Sequence, residues 1–439
     1  MTGNNGRDAA HPDAPGPGLG EQAIRKVGLG LKQLGPGLIT GAADDDPSGI
    51  ATYSQAGAQY GFNMLWTLFF TYPLMVAVQV ISARIGRVTG KGLAANLLQV
   101  LPRWAVVALA LLLFIANTIN IGADIAAMGA AAELIAGGGA AAFTVAAAAI
   151  SLLLQIFVPY HRYVLYLKWS TLVLFAYVGV VFSVRIDWGD VATHVVMPTM
   201  EWSPAWMTVI VAVFGTTISP YLFFWQTAEE VEDMEMNHQR DLRHSNGQEA
   251  RRELRRMAVD TVTGMGLSNA IAFFIMLTTA VTLHRSGITD IETSAEAAEA
   301  LRPIAGEFAF LLFSLGIVGT GFLAVPVLAG SAGYALAEAF GLPKGLEKKP
   351  GEAKAFYGVI VAAMVVAVAS IWMPLDPIKM LFWTAVINGV VAIPILAAMM
   401  LLARNHHQMG RYVANRWQTT LGWAATAVMS LTVVGMFVL

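Results

Sequence analysis

The chain has 439 residues, of which 56% are hydrophobic and only 13% charged, with a mean hydropathy of +0.61, a balance that excludes a large soluble enzyme and points to a polytopic membrane protein. Cysteine is absent, which excludes disulfides and thiolate metal sites. The net charge of -2 is too small for a nucleic-acid partner.

Residues 1–30 begin with a polar Gly/Pro-rich stretch, Met1 to Gly20, that has no continuous apolar core. It reads as a disordered cytoplasmic tail rather than a signal peptide, so the first span acts as its own insertion signal. A span needs roughly 20 apolar residues to cross about 30 Å of hydrocarbon. That ruler predicts eleven helices, at about 36–60, 62–83, 104–136, 140–158, 163–184, 205–228, 257–283, 308–336, 355–374, 378–402 and 419–439. The fold class is therefore all-α and membrane-spanning, with the transporter domain running over residues 31–439.

The first span is broken by Asp44-Asp45-Asp46-Pro47-Ser48-Gly49. Pro47 cannot continue the amide ladder, while Ser48 and Gly49 tolerate non-helical angles, so the chain unwinds there and exposes carbonyls beside three carboxylates. In hydrocarbon an unpaired backbone group costs several kcal/mol and a buried carboxylate at least about 2.5 kcal/mol, so such a break persists only where it lines a polar cavity or holds an ion. Along the third span Asn117, Asn120 and Asp124 recur at i, i+3 and i+7, on one helix face. Such a stripe is either a lining of the ion path or a packing seam, and Asp124 favours the path.

The sixth span is interrupted at Thr216-Thr217-Ile218-Ser219-Pro220-Tyr221. Pro220 has no N–H to give the Thr216 carbonyl four residues earlier, and Ser219 adds a hydroxyl at the same level. A proline kink alone would account for this segment; a second half of the same site is the alternative. The stretch Glu229 to Arg256 carries both signs of charge and reads as a solvated helical loop. Gly316 to Ala332 in the eighth span offers small residues for close packing, and Asn388 in the tenth is either interhelical glue or a ligand. His194, His284, His406 and His407 fall in predicted loops and read as solvated.

Lys and Arg are retained on the cytoplasmic side. With the N-terminus inside, only Arg185, Arg285, Arg302 and Lys379 lie outside, which sets eleven spans with the C-terminus outside and a multi-pass location in the cell membrane. The two broken helices are five spans apart, the pointer to an inverted repeat. Repeat one covers about 36–184, repeat two about 205–402, and an extra helix about 419–439. An odd number of spans per repeat inverts one half, so the breaks meet near the midplane. A hard divalent cation wants carboxylates, carbonyls, hydroxyls and retained water, which is what the two breaks supply. No nucleotide loop or nucleophile motif marks an enzyme, and no cofactor is implied.

These segments resemble the natural-resistance-associated macrophage protein (NRAMP) family of divalent-metal transporters. Asp46-Pro47-Ser48-Gly49 followed by Ile50-Ala51-Thr52 is similar to the family's first-span Asp-Pro-Gly-Asn followed by Phe-Ala-Thr. Ser219-Pro220-Tyr221, preceded by Gly215-Thr216-Thr217-Ile218, is similar to its sixth-span Met-Pro-His preceded by Gly-Ala-Thr-Val. Gly35-Pro36-Gly37 before the first span adds to the likeness, which runs from about residue 30. The resemblance implies a LeuT-like fold of five plus five helices and one extra. It makes Asp46 the main carboxylate ligand and Thr216 a carbonyl ligand, with Ser219, Asp45 and Gly49 completing the metal position. Asp44, Asn117, Asn120, Asp124, Tyr221, Gln226 and Asn388 would line the surroundings or the path.

Three departures carry information. Gly49 stands where the family has a ligating Asn, Ser219 where it has Met, and Tyr221 and Gln226 where it has histidines linked to proton movement. Loss of a soft sulfur removes discrimination against Mg2+, and neither Tyr nor Gln titrates near neutral pH. The features look like the NRAMP-related magnesium transporter branch, which implies Mg2+ and Mn2+ transport by alternating access without proton coupling. A proton-coupled Mn2+/Fe2+ symporter and a LeuT-like carrier of a small organic solute are the rival readings. Which of the three aspartates touches metal, and the oligomeric state, stay open.

Overall fold

The computed structural model describes residues 35–160, 162, 170–372 and 376–439. The tail expected over residues 1–30 and part of the expected fifth span therefore lie outside the described residues. Among those described there are helices and turns and no strand. The principal helices are α1 (Pro36–Asp44), α2 (Pro47–Tyr60), α3 (Leu65–Thr89), α4 (Arg103–Ala136), α5 (Ala140–Phe157), α6 (Phe175–Ser183), α7 (Trp188–Val196) and α8 (Pro204–Thr217). They continue as α9 (Pro220–Met236), α10 (Gly247–Thr282), α11 (Ala309–Phe340), α12 (Lys354–Val368), α13 (Pro377–Ala403) and α14 (Arg416–Val438).

Among the described residues, 8 helical stretches are long and apolar enough to cross a membrane, or up to 9 if the pair Thr171–Ser183 and Trp188–Val196, bent by 115°, is one span. The difference from the expected eleven has local causes. The first expected span is split, its second half running into α3 as one stretch from Pro47 to Thr89, and Lys354–Val368 alone is short of a full crossing.

Both breaks are made the same way. A residue before proline is pushed out of the helical region, and Asp46 (φ -71°, ψ 170°) and Ser219 (φ -73°, ψ 130°) are both extended immediately before a proline that starts the next helix. Proline fits there because the first helical position needs no N–H bond.

The halves are held by flanking helices that approach backbone to backbone. A Cβ on Gly41 would strike the backbone of Gly264 in α10, and one on Gly215 would strike Ala385 and Gly389 in α13. Without a strong hydrophobic force between helices in lipid, such close approach is what packing there rests on. Elsewhere α4 lies along α11, with Gly321 of the small-residue stretch pressed on Met128.

Candidate metal site

Asp46 caps α2 from its own side chain. Its Oδ1 accepts from the Gly49 amide at 2.7 Å and from the Ser48 hydroxyl at 2.7 Å. Its Oδ2 accepts from the Tyr221 hydroxyl at 3.2 Å, and that hydroxyl also lies 3.4 Å from the Ala43 carbonyl. Asp46 is buried. A carboxylate oxygen has two lone-pair sites, so Oδ1 is saturated and Oδ2 keeps one acceptor position.

The second break faces the first across Gly49. A Cβ built on Gly49 would lie 3.2 Å from Thr216 Oγ1, 3.3 Å from the Asp44 carbonyl oxygen and 3.4 Å from Asp46 Oδ1. Gly49 is thus closely packed against three oxygens, one from α8, one from the end of α1 and one from the Asp46 cap. The Thr216 carbonyl, left without a proline N–H, accepts from the Ser219 hydroxyl at 2.8 Å, and Ser219 also reaches the Gly215 carbonyl at 2.8 Å. Ser219 therefore spends its single proton on its own helix end, while its oxygen and the second Thr216 lone pair keep acceptor capacity. The donors gathered at the two breaks are all hard oxygens.

The sequence relationship agrees with this arrangement. Residues 37–439 match the family described as natural resistance-associated macrophage protein-like (Nramp). The chain belongs to this family.

Within the family's reach, the chain is similar to the divalent metal cation transporter MntH of Pectobacterium carotovorum, 27% identical over 408 residues and covering 91% of each chain. It is similar also to the MntH of Deinococcus radiodurans, 24% identical over 418 residues, 93% of this chain and 89% of that one. These relatives are transporters rather than enzymes. In fold it resembles the Eremococcus coleocola manganese transporter, at a TM-score of 0.67 and 17% identity over 91% of this chain and 85% of that one. It also resembles Mhp1, a nucleobase-cation-symport-1 family transporter in a closed conformation, at a TM-score of 0.56 and 12% identity over 92% of each. The fold is thus LeuT-like and all-helical.

The sequence-derived residues do not all converge. Among the described residues no three His, Cys, Asp or Glu side chains form a ready metal cluster. The aspartate triplet is divided instead: Asp44 Oδ2 and Asp45 Oδ1 both accept from Ser268 of α10, at 2.6 and 3.1 Å, whereas Asp46 turns to Tyr221 and Ser48. Asp45, expected among direct ligands, is engaged by Ser268 rather than by the second break. A buried carboxylate takes whatever donor its backbone position presents, and the last turn of α1 presents α10.

Asn117 lies in a seam. Its amide donates at 2.8 Å to both the Leu328 carbonyl and the Ser331 hydroxyl of α11, while its Oδ1 is buried without a hydrogen-bond partner. Its stripe partners behave differently: Asn120 lies beside Asp46, and both oxygens of Asp124 are buried without a hydrogen-bond partner. Asn388 is buried, and neither of its amide atoms has a hydrogen-bond partner. Gln226 donates to Glu230 at 3.0 Å, along its own helix.

Three features escaped the sequence reading. Ser268 is one hydroxyl in an apolar span and carries no signal by itself. Tyr53 of α2 lies beside the Thr216 side chain, fully within the protein. The start of the expected solvated loop is buried: Glu230 pairs with Arg87 of α3, both at no more than 2% exposure, and Arg87 also reaches Asp233. Arg84, Arg87 and Lys91 read only as cytoplasmic charges, and the acidic residues of α9 spaced at i and i+3 were the signal for a partner.

Proposed function

We propose that this protein transports divalent metal cations across a membrane by alternating access, holding the ion between Asp46 and the Thr216 carbonyl. The observation that carries the reading is the close approach of the two breaks, where Tyr221 bonds Asp46 Oδ2 and Gly49 lies against Thr216 Oγ1, the Asp44 carbonyl and Asp46 Oδ1. Unwound backbone from two helices supplies carbonyls, Asp46 Oδ2 supplies charge, and Ser219 supplies a hydroxyl. Asp44 and Asp45 add negative charge close by through Ser268 rather than as first ligands.

The favoured cargo is Mg2+, with Mn2+ also accepted. A hard set without sulfur does not select transition metals, and Gly49 adds no side-chain ligand, which leaves coordination positions that waters can fill. Transport proceeds without coupled protons, since Tyr221 and Gln226 stand at the positions of the family's histidines. In this reading the membrane domain has eleven spans, with the N-terminus cytoplasmic and the C-terminus outside, in the cell membrane. Repeats of about 36–184 and 205–402 are inverted, which brings the breaks together, and α14 is the addition.

Asp124 supports a second reading. A buried carboxylate with no partner is a group that can carry a proton, which is what a proton-coupled Mn2+ symporter needs. Purified protein in liposomes, with a trapped Mg2+ indicator and a lumenal pH dye, separates the two. The first reading expects Mg2+ entry, competition by Mn2+ and no pH change. Mn2+ entry with lumenal acidification and no Mg2+ entry selects the second, and entry of neither ion rejects both.

A further inference from the structure

A polar recess lies where the C-terminal end of α13 meets the N-terminal end of α14. It is a half-open recess of about 380 Å³ lined by Arg404, His406, Arg416, Thr419 and Thr420, with Val413 and Ala414 completing the wall; both arginines stand exposed at its mouth. The wall is a built one. The Ala414 amide donates to the Ala403 carbonyl at 3.0 Å, which closes the connecting segment onto the end of α13. Arg84 reaches across from α3 to the carbonyls of Tyr412 and Val413, at 3.5 and 3.4 Å.

The charge in this cavity is of one sign. No Asp or Glu lines it, and among the described residues neither Arg404 nor Arg416 has an ion-pair partner. Two guanidinium forks recognise phosphate oxygens bidentately, two threonine hydroxyls donate further bonds, and the positive end of the α14 dipole adds to the same field. The cavity also has a defined depth. α14 is long and apolar enough to span a membrane, and in its first turn Trp417, next to Arg416, is 78% exposed. A tryptophan standing out at the end of a span marks the membrane–water interface, which is the level of lipid headgroups.

We infer that this cavity binds the phosphate group of an anionic phospholipid, held by Arg404 and Arg416 with Thr419 and Thr420. The site is separate from the helix breaks and does not depend on which ion they carry. Two arginines near a membrane surface provide enough attraction for at least about a tenfold preference over a zwitterionic lipid.

The full chain, stripped of lipid in detergent, is to be mixed with phosphatidylglycerol or phosphatidylcholine and read by native mass spectrometry. The wild type is expected to retain phosphatidylglycerol at least about tenfold more than phosphatidylcholine. R404Q/R416Q is expected to lose that preference, R404K/R416K to keep only the part that charge alone supplies, and T419V/T420V, which leaves both charges, to weaken retention a few-fold. Equal retention of the two lipids by the wild type, or unchanged retention in both the glutamine and the valine variants, overturns the proposal. Displacement of the lipid by millimolar inorganic phosphate would assign the site to the free ion instead and so overturn the lipid assignment; no displacement supports it.

Discussion

The phenolic hydroxyl of Tyr221 donates to Oδ2 of Asp46 across 3.2 Å, so the residue just after one helix-starting proline is bonded to the residue just before the other. That single bond joins the two broken helices at the oxygen of Asp46 which still has acceptor capacity. A metal bound there must share Oδ2 with Tyr221, and the consequences of that sharing can be measured.

Tyr221→Phe should lower the stability of the metal-free protein by about 1.5–3 kcal/mol, the worth of a hydrogen bond to a charged group. Bound metal should restore much of the loss, because it supplies Asp46 with a new partner. Melting curves with and without Mg2+ or Mn2+ check this: the variant is expected to show the larger metal-dependent rise, and an equal rise in both proteins would count against a shared oxygen.

Gly49→Asn should alter selectivity as well as stability. A Cβ there already comes within 3.2 Å of Thr216 Oγ1, so the new side chain displaces its neighbours at a cost in stability and takes a coordination position that water would fill on a hydrated ion. Mg2+ uptake is expected to fall by at least about tenfold relative to Mn2+ uptake, since Mg2+ gives up its waters reluctantly. Parallel flux measurements of the two ions are the check, and an unchanged ratio would remove Gly49 from the selectivity argument.

Ser268→Ala separates the three aspartates. It deprives Asp44 Oδ2 and Asp45 Oδ1 of their shared donor, which should cost about 1–3 kcal/mol of stability for the buried acceptors left unpaired. Apparent metal affinity should change far less than in Asp46→Asn, which is expected to lose at least about 100-fold, beyond what removing an outer-shell partner costs. Affinity losses of similar size in the two variants would place Asp44 or Asp45 in direct contact with metal.

The pair Arg87 and Glu230 makes a different forecast. Both side chains are buried, so Arg87→Met alone should destabilise by about 3–5 kcal/mol, leaving an uncompensated charge, while the double change Arg87→Met with Glu230→Met should recover most of that loss. Denaturation of the two variants tests it; a double variant as unstable as the single one would mean that Asp233 or Gln239, the other partners of Arg87, needs the guanidinium more than Glu230 does.

The breaks were legible because proline acts locally: Asp46-Pro47 and Ser219-Pro220 each force an extended residue whatever surrounds them. Their opposition was legible from spacing alone. What could not be read was which donor each freed oxygen would find, since Ser268 lies 224 positions from Asp44 and a lone serine in an apolar span has no pattern. The polar stripe on α4 shows the same limit. Period placed Asn117, Asn120 and Asp124 on one face, but only packing decides that α11 takes Asn117 while Asp124 is left without a partner. Charge counting likewise treated Arg87 as a topological marker, because burial of a charge depends on a partner from another helix.

Crystals of the protein grown with Mn2+ and measured at a wavelength where manganese scatters anomalously would locate the ion itself. The account predicts one peak within about 2.0–2.6 Å of both Asp46 Oδ2 and the Thr216 carbonyl oxygen, absent in Asp46→Ala. A peak held by Asp44 and Asp45 away from Thr216, or a Mn2+ peak that persists at the breaks in Asp46→Ala, would contradict it.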